Sequence, residues 1–214
     1  MNGYEIARLE DLDSIPIGDG VLWHPVRRRF DIRSFGVNAY TSERVGDHVV
    51  EDHDESGAGA GGHEELYVVV RGRATFTVDG NEIDAPAGTF VFVRDPKLRR
   101  SAIAEEDGTV VLALGGEPGA AYQVSPWESY FAAFPALREE RYDEAIALME
   151  AGLREHPGNP SILYNLACAE ALARRSADAL RHLAEAVSVE PRLRERAQAD
   201  PDFDAIRAEP GFPA

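Results

Sequence analysis

Polar and apolar residues alternate along one stretch of the chain, from His63 to Asp95. It reads HEELYVVVRG, then RATFTVDG, then NEIDAPAGTFVFVRD. Because successive side chains of a strand point to opposite sides, the first segment separates into two faces. These are His63, Glu65, Tyr67 and Val69 on one side, and Glu64, Leu66, Val68 and Val70 on the other. Apolar residues on both sides predict a strand that is covered on both.

Turn residues divide this stretch into further strands. The pair Asp79-Gly80 suits a type I′ turn, in which both central residues have positive φ, and it predicts a hairpin. The next strand begins near Glu82 and is broken at Pro86 and Gly88, before a short apolar run. Upstream, the segments VLWHPV, DIRSFGVNAYTSE and DHVVE predict edge strands, and IARLEDLDSI predicts a short helix. Short strands joined by tight turns indicate a β-sandwich or barrel.

The spacing of glycine, proline and glutamate in these strands resembles the cupin family. In the first cupin motif a glutamate is followed, after six residues, by a glycine. Glu65 and Gly72 have this spacing. The second motif opens with Gly, five residues and Pro-x-Gly, which Gly80, Pro86 and Gly88 match. The resemblance covers roughly the segment from position 30 to position 115. It implies a jelly-roll β-barrel and a homodimer formed through that barrel.

The histidines of the family's metal site are missing at their usual positions. Val91 stands where the second motif has histidine, and Asp95 stands where it has asparagine. The His-x-His pair of the first motif would fall at about Gly59 and Gly61. Zinc or iron catalysis usually needs three protein ligands and an open position. We therefore expect no metal cofactor and favour a pocket without an ion.

Two arrangements could nevertheless provide a site for a divalent transition metal. If the run HDESGAGAGG forms a long loop, His53 and Glu55 would take the His-x-His positions and meet Glu65 across it. Alternatively, His63 shares a strand face with Glu65 and would approach one ion together with it. The sequence leaves both arrangements open, with ligands drawn from His53, Glu55, His63 and Glu65.

The lumen face of the predicted barrel combines a few polar groups with apolar walls. The residues expected to line this pocket are His63, Glu65, Tyr67, Val69, Phe76, Val91 and Val93. Such a pocket suits one small organic molecule. The chain contains no nucleophile elbow, Gly-x-Gly-x-x-Gly or phosphate loop, so nucleophilic hydrolysis and nucleotide chemistry lose their usual support. We expect binding rather than catalysis.

Beyond Tyr122 the composition changes from strand formers to helix formers, with Ala, Leu, Arg and Glu dominant. This change predicts a β-barrel domain over residues 1–122 and an α-helical domain over residues 123–214. The predicted fold class is therefore a multi-domain β + α protein.

The helical half contains an internal repeat. An offset of 34 residues places Ala145 on Ala179 and Pro157 on Pro191. The pattern resembles a pair of tetratricopeptide repeats. The boundaries that we predict are about 126–159 and 160–193 for the repeats and 194–214 for a capping tail. Such helical hairpins stack into an array whose groove binds peptides, so the resemblance implies a peptide or protein partner.

Two residues of the first repeat depart from the family pattern. Pro135 is expected to interrupt its first helix, and Gly152 stands where a small alanine is usual.

Charge and hydropathy exclude two classes of partner. The formal net charge is −16 and the pI is about 4.7, whereas nucleic-acid binding needs a concentrated basic face. No apolar run approaches the length of a membrane span, and the first residues, MNGYEIARLEDLD, lack the basic start and apolar core of a signal peptide. We expect a cytoplasmic protein that binds neither nucleic acid nor membrane.

Three hypotheses about function follow. The first is a small-molecule-binding cupin protein with a degenerate metal motif, coupled to a tetratricopeptide-like interaction domain. The second is a metal-dependent cupin enzyme, a dioxygenase or an isomerase, with a non-standard His/Glu site. The third is a scaffold whose pocket is packed and whose repeats alone function.

Overall fold

A computed structural model describes residues 5–213 of the chain. The fold consists of two compact units, Met1–Val124 and Ser125–Ala214. The division after residue 122 stays a prediction. The predicted domains begin at residue 1 and end at Ala214, but residues 1–4 and Ala214 lie outside the described range.

The first unit is built from antiparallel strands and one short helix. In chain order, the elements described are β1 (Ile15–Gly18), β2 (Val21–His24), α1 (Val26–Phe30), β3 (Gly36–Ser42), β4 (His48–His53), β5 (Glu64–Arg71), β6 (Arg73–Val78), β7 (Asn81–Pro86), β8 (Phe90–Val93), β9 (Arg100–Ala104) and β10 (Thr109–Gly116). They form two sheets, with strand orders β1-β2-β3-β10-β5-β8 and β4-β9-β6-β7. This two-sheet sandwich confirms the cupin-like architecture predicted for the first half of the chain.

The hairpin predicted at Asp79-Gly80 is present. Val78 pairs with Asn81 across the turn, and φ is 49° at Asp79 and 78° at Gly80. Both central residues thus have the positive φ that a type I′ turn requires.

The core of the sandwich lies between the inner faces of the two sheets. Its buried members share apolar character and close packing, and they include Val49, Val50, Tyr67, Val69, Ala74, Phe76, Ala85, Val91, Val93, Ala102, Val111 and Ala113. The alternation seen in β5 accounts for this burial, because Tyr67 and Val69 point inward while Val68 and Val70 point outward.

Three local predictions are wrong. The segment expected as a short helix forms only a 3-10 turn at Leu9–Asp11 and then enters β1, because Ile15 pairs with Trp23 of β2 and is buried there. Strands β2 and β3, both expected at an edge, lie inside the larger sheet, whereas β4 is at an edge as predicted. The outer face of β5 is only partly covered, since Val70 is 53% exposed.

The second unit is an array of helical hairpins. Its helices are α2 (Trp127–Arg138), α3 (Tyr142–Glu155), α4 (Pro160–Leu172), α5 (Ser176–Val189) and α6 (Leu193–Ala199), followed by a 3-10 turn at Pro201–Phe203. Asn159 caps α4, since its side-chain oxygen accepts hydrogen bonds from the backbone N–H groups of Ser161 and Ile162. This array confirms the predicted tetratricopeptide-like architecture. None of the described helices is both long and apolar enough to cross a membrane.

Small residues let these helices approach closely. Ala145 and Ala179, equivalent in the repeat, are both fully buried. Pro135 does not interrupt α2, contrary to the prediction, because it lies in the last turn of the helix. Gly152 faces Ser129: a Cβ added to Gly152 would lie 2.4 Å from the Cβ of Ser129.

We predict that Gly152→Ala destabilises the helical unit, although alanine is the better helix former. The added methyl group would force α2 and α3 apart, and overpacking of this kind costs about 1–3 kcal/mol of unfolding free energy. Urea denaturation measures the change. In a Ser129→Gly background the same substitution should cost much less, because the opposing side chain is gone. Equal losses in both backgrounds would contradict this packing.

Candidate functional site

Six polar side chains converge between the two sheets, and we call them the polar cluster. They are His53, Glu55, His63, Glu65, Tyr67 and Arg100. Strand pairing explains the convergence. His53 of β4 lies directly opposite Arg100 of β9 in one sheet, and β5 of the other sheet turns Glu65 and Tyr67 to its inner face.

The loop between β4 and β5 brings Glu55 and His63 to the same place. The backbone N–H of Glu55 donates to the carbonyl of Pro96 (2.8 Å), and that of Gly61 donates to Glu55 Oε2 (3.0 Å). His63 packs against Gly61 so closely that a Cβ there would lie 2.2 Å from the Nε2 atom of His63. The Gly/Ala run therefore folds back over Glu55, which is buried.

The structure brings together His53, Glu55 and Glu65, which are the ligands of the arrangement that uses the long loop. The Nε2 atom of His53 lies 3.8 Å from Glu55 Oε1 and 3.6 Å from Glu65 Oε2. One donor atom each from His53, Glu55 and Glu65 lies within 4.8 Å of the others. His63 stands beside this group, with its Nδ1 atom 3.9 Å from Glu55 Oε2.

Arg100 is a member of the cluster that sequence reasoning missed. Arg100 follows the loop from Arg94 to Arg99, yet it is only 1% exposed. Its Nη1 atom donates to the carbonyls of Pro96 (3.2 Å) and Leu98 (2.9 Å), and its Nη2 atom lies 3.4 Å from Glu65 Oε2. The sequence signal that indicates an inward Arg100 is the alternation RSAIA, which places Arg100 on the same face as Ala102 and Ala104.

Part of the Arg100 guanidinium has no hydrogen-bond partner among residues 5–213. The Nε and Nη2 atoms are both buried, and neither donates a hydrogen bond to any described residue. A buried donor left unsatisfied costs about 1–3 kcal/mol, and more when it is charged. The buried edge of the guanidinium formed by Nε and Nη2 therefore faces Glu65 as an ion pair through Nη2, without a hydrogen bond at either nitrogen.

Neighbouring charges decide the protonation states. Burial lowers the pKa of His53, but the close carboxylate of Glu65 outweighs it and the pKa lies above its ordinary value. Burial raises the pKa of Glu65, but His53, Tyr67 and Arg100 outweigh it and the pKa is lowered. Burial, followed by the charge of Glu65, raises the pKa of Glu55. Between pH 4.5 and 6.5 the central pair is thus an imidazolium and a carboxylate.

The phenol of Tyr67 stays protonated and acts as a donor. Burial and the charge of Glu65 raise its pKa well above the ordinary value. Its hydroxyl donates a short hydrogen bond to Glu65 Oε2 and lies 3.5 Å from the Nε2 atom of His53.

The apolar residues predicted to line the pocket lie in the core beside the polar cluster. Tyr67, Val69, Phe76, Val91 and Val93 pack against one another, and the rings of Tyr67 and Phe76 have centroids 5.5 Å apart. Val91 is buried there and offers no ligand atom in place of the family's histidine. The chemistry of the site consequently rests on the polar cluster.

The donor set fits a divalent metal in its chemistry. His53, Glu55 and Glu65 would supply one imidazole nitrogen and two carboxylates, the ligands that borderline divalent metals accept. Arg100 works against a cation, because its guanidinium lies within 4 Å of Glu65. Without a metal, the charges of the cluster already offset one another, since two carboxyl groups face one guanidinium and one imidazole.

We predict that the stability of the protein falls as the pH rises above about 6.5. Because the pKa of His53 is raised in the fold, its contribution to the unfolding free energy is complete below 6.5 and is lost as the pH passes the folded pKa, at about 1.4 kcal/mol for each unit of difference. Urea denaturation of His53→Gln should show a flatter pH profile than the wild type. His48→Gln, at the opposite end of β4, is the control and should keep the wild-type slope. Identical profiles for His53→Gln and the wild type would contradict the His53–Glu65 pair.

Comparison with known proteins agrees with the two architectures. The family model described as tetratricopeptide repeat matches residues 136–209, which confirms the predicted resemblance over that range. No curated protein matches the chain.

Solved structures similar to this chain are matched over about half of its length. KdgF from Halomonas sp. is 16% identical, with 54% of this chain and 90% of that chain covered and a TM-score of 0.42. An RmlC-like cupin from Shewanella frigidimarina is 17% identical, with 55% and 95% covered and a TM-score of 0.41. A sugar phosphate isomerase of the cupin superfamily from Silicibacter pomeroyi is 14% identical, with 52% and 74% covered and a TM-score of 0.43. The chain combines a two-sheet β-sandwich in its first unit with an array of helical hairpins in its second, and the tetratricopeptide repeat model matches residues 136–209.

Proposed function

We propose that the first unit binds a small organic acid carrying hydroxyl groups, and that the polar cluster is its binding site. The observation that carries this proposal is the buried edge of Arg100, whose Nε and Nη2 atoms have no hydrogen-bond partner in the described part of the chain.

The free edge of Arg100 matches a carboxylate. A guanidinium presents Nε and one Nη as a planar fork that holds both oxygens of a carboxylate in parallel hydrogen bonds. The remaining nitrogen, Nη1, is fixed by the carbonyls of Pro96 and Leu98. The fork is therefore oriented before any ligand arrives, which reduces the entropy cost of binding.

The other members of the polar cluster suit hydroxyl groups. Glu55 and Glu65 accept hydrogen bonds, whereas Tyr67 and the imidazolium of His53 donate them. An acid adds one negative charge to a balanced cluster. Glu55, with its raised pKa, is the group best suited to take up the compensating proton. A hydroxy acid would thus use both kinds of group at once.

The second unit is proposed to serve protein association. Tetratricopeptide repeats match residues 136–209, and stacked helical hairpins of this kind present a concave surface that suits peptides. The occupant of the site in the first unit and the partner of the repeats remain separate proposals.

A metal-dependent enzyme is the second candidate, favoured by the three converging donors of His53, Glu55 and Glu65. A divalent metal held there would act as a Lewis acid toward a bound oxygen atom. Protein purified without chelator or affinity tag and analysed for manganese, iron, nickel and zinc separates the candidates. Stoichiometric metal that is lost in His53→Ala would favour the enzyme.

We predict that Arg100→Lys weakens ligand binding because lysine cannot form the bidentate fork. The probes are citrate, malate, gluconate and glucose, each tested by thermal shift on the full chain. At least one acid should raise the melting temperature of the wild type, since a ligand that binds only the folded state stabilises it. Losing one charge-assisted pair, worth about 1.5–3 kcal/mol, should weaken that acid by roughly ten- to a hundredfold.

Arg99→Lys is the matched control, because Arg99 is the adjacent residue, is exposed and pairs with Asp52 on the surface. It should bind like the wild type. If no acid distinguishes Arg100→Lys from Arg99→Lys, the polar cluster is structural and the scaffold hypothesis is favoured.

A further inference from the structure

A cavity lies on the outer face of the larger sheet, and we call it the outer pocket. It has a volume of about 410 Å³, which is within the range of small-molecule sites. Its floor consists of Leu66, Phe92 and Leu114, and its walls include Phe35 and Tyr122. None of these residues belongs to the polar cluster.

Strand register builds the floor of the outer pocket. Leu66 of β5 pairs with Phe92 of β8 on one side and with Leu114 of β10 on the other. The three side chains therefore form a row across neighbouring strands, on the face opposite to Glu65. The alternation of β5 keeps this row apart from the polar cluster.

The aromatic side chains of the outer pocket are open to solvent. Phe35 and Phe92 are 46% and 47% exposed, although they are large apolar side chains. The ring of Phe92 already attracts a cation, since the guanidinium carbon of Arg94 lies 5.1 Å from its centroid. Aromatic rings grouped around a cavity are the usual surroundings of a bound ammonium ion.

Two carboxylates also belong to the outer pocket. They are those of Glu64, which is half-buried, and Glu117, which is exposed. Neither carboxylate has an ion pair or hydrogen bond with any residue from 5 to 213. Carboxylates beside an apolar floor attract positive charge, and the net charge of −16 adds a field of the same sign.

We propose that the outer pocket binds a small organic ammonium ion with an apolar substituent. The aromatic rings of Phe35, Phe92 and Tyr122 contact its alkyl groups, and Glu64 and Glu117 neutralise its charge. Neutral molecules of the same shape gain the apolar contacts but not the electrostatic attraction. The proposal does not rest on the acid-binding site proposed above, although the two sites adjoin: the ring centroid of Tyr122 lies 5.6 Å from that of His63.

The test compares choline with 3,3-dimethylbutan-1-ol, which has the same shape but no charge. Backbone amide signals of the full chain are followed by NMR during titration with each compound. We expect saturable shifts near Leu66 and Leu114, with choline bound about tenfold or more tightly than the alcohol. Phe92→Leu and the double variant Glu64→Gln/Glu117→Gln should each weaken choline by a similar factor.

Two variants serve as controls. Phe90→Leu removes an exposed ring from the same strand and face, outside the pocket, and Glu65→Gln alters the polar cluster. Both should bind choline like the wild type, and circular dichroism verifies that every variant is folded. Equal affinity for the two compounds, shifts confined to the polar cluster, or no saturable binding at millimolar concentrations would each overturn the proposal.

Discussion

Two buried carboxylates must be neutralised for the two sheets of the first unit to meet. Glu55 and Glu65 both approach the Nε2 atom of His53, and Arg100 lies against Glu65. Isolated charges in a protein interior cost several kcal/mol each, and removing one member of a buried pair typically costs about 3–5 kcal/mol. The register of β4 with β9, which sets His53 opposite Arg100, is the constraint on which this balance depends.

The same constraint explains the local conformation around the cluster. Arg100 is fixed through the carbonyls of the loop before β9, and that loop also holds the backbone of Glu55. The glycine-rich loop before β5 folds over Glu55 because Gly61 leaves space for the ring of His63. Balanced charge accounts for the closeness of these groups, but it leaves one edge of the guanidinium unused. This edge, which makes no hydrogen bond, is the basis of the proposed binding site.

Much of the architecture could be predicted from local patterns. Alternation predicted the inward face of β5, Asp79-Gly80 predicted the hairpin, and the offset of 34 residues predicted the repeated helices. Each of these signals lies within a few residues or repeats at a fixed period.

The rest depended on contacts between distant parts of the chain. Arg100 approaches Glu65 only after β9 pairs with β4, so the alternation of β9 could indicate an inward side chain but not its partner. The choice between two placements of His53 and His63 also depended on how the glycine-rich loop closes. The partly uncovered outer face carrying Phe92 could not be recognised, because an apolar pattern does not reveal whether anything covers it.

The most direct test of this account is an NMR titration of the His53 ring in the wild type and in Glu65→Gln. If the buried charges neutralise one another, the pKa of His53 lies above 6.5 in the wild type. The pKa of His53 should be lower in the variant, because one of the two carboxylates beside the ring is then neutral while burial still acts. A pKa at or below 6.5 in the wild type, unchanged by Glu65→Gln, would contradict the account.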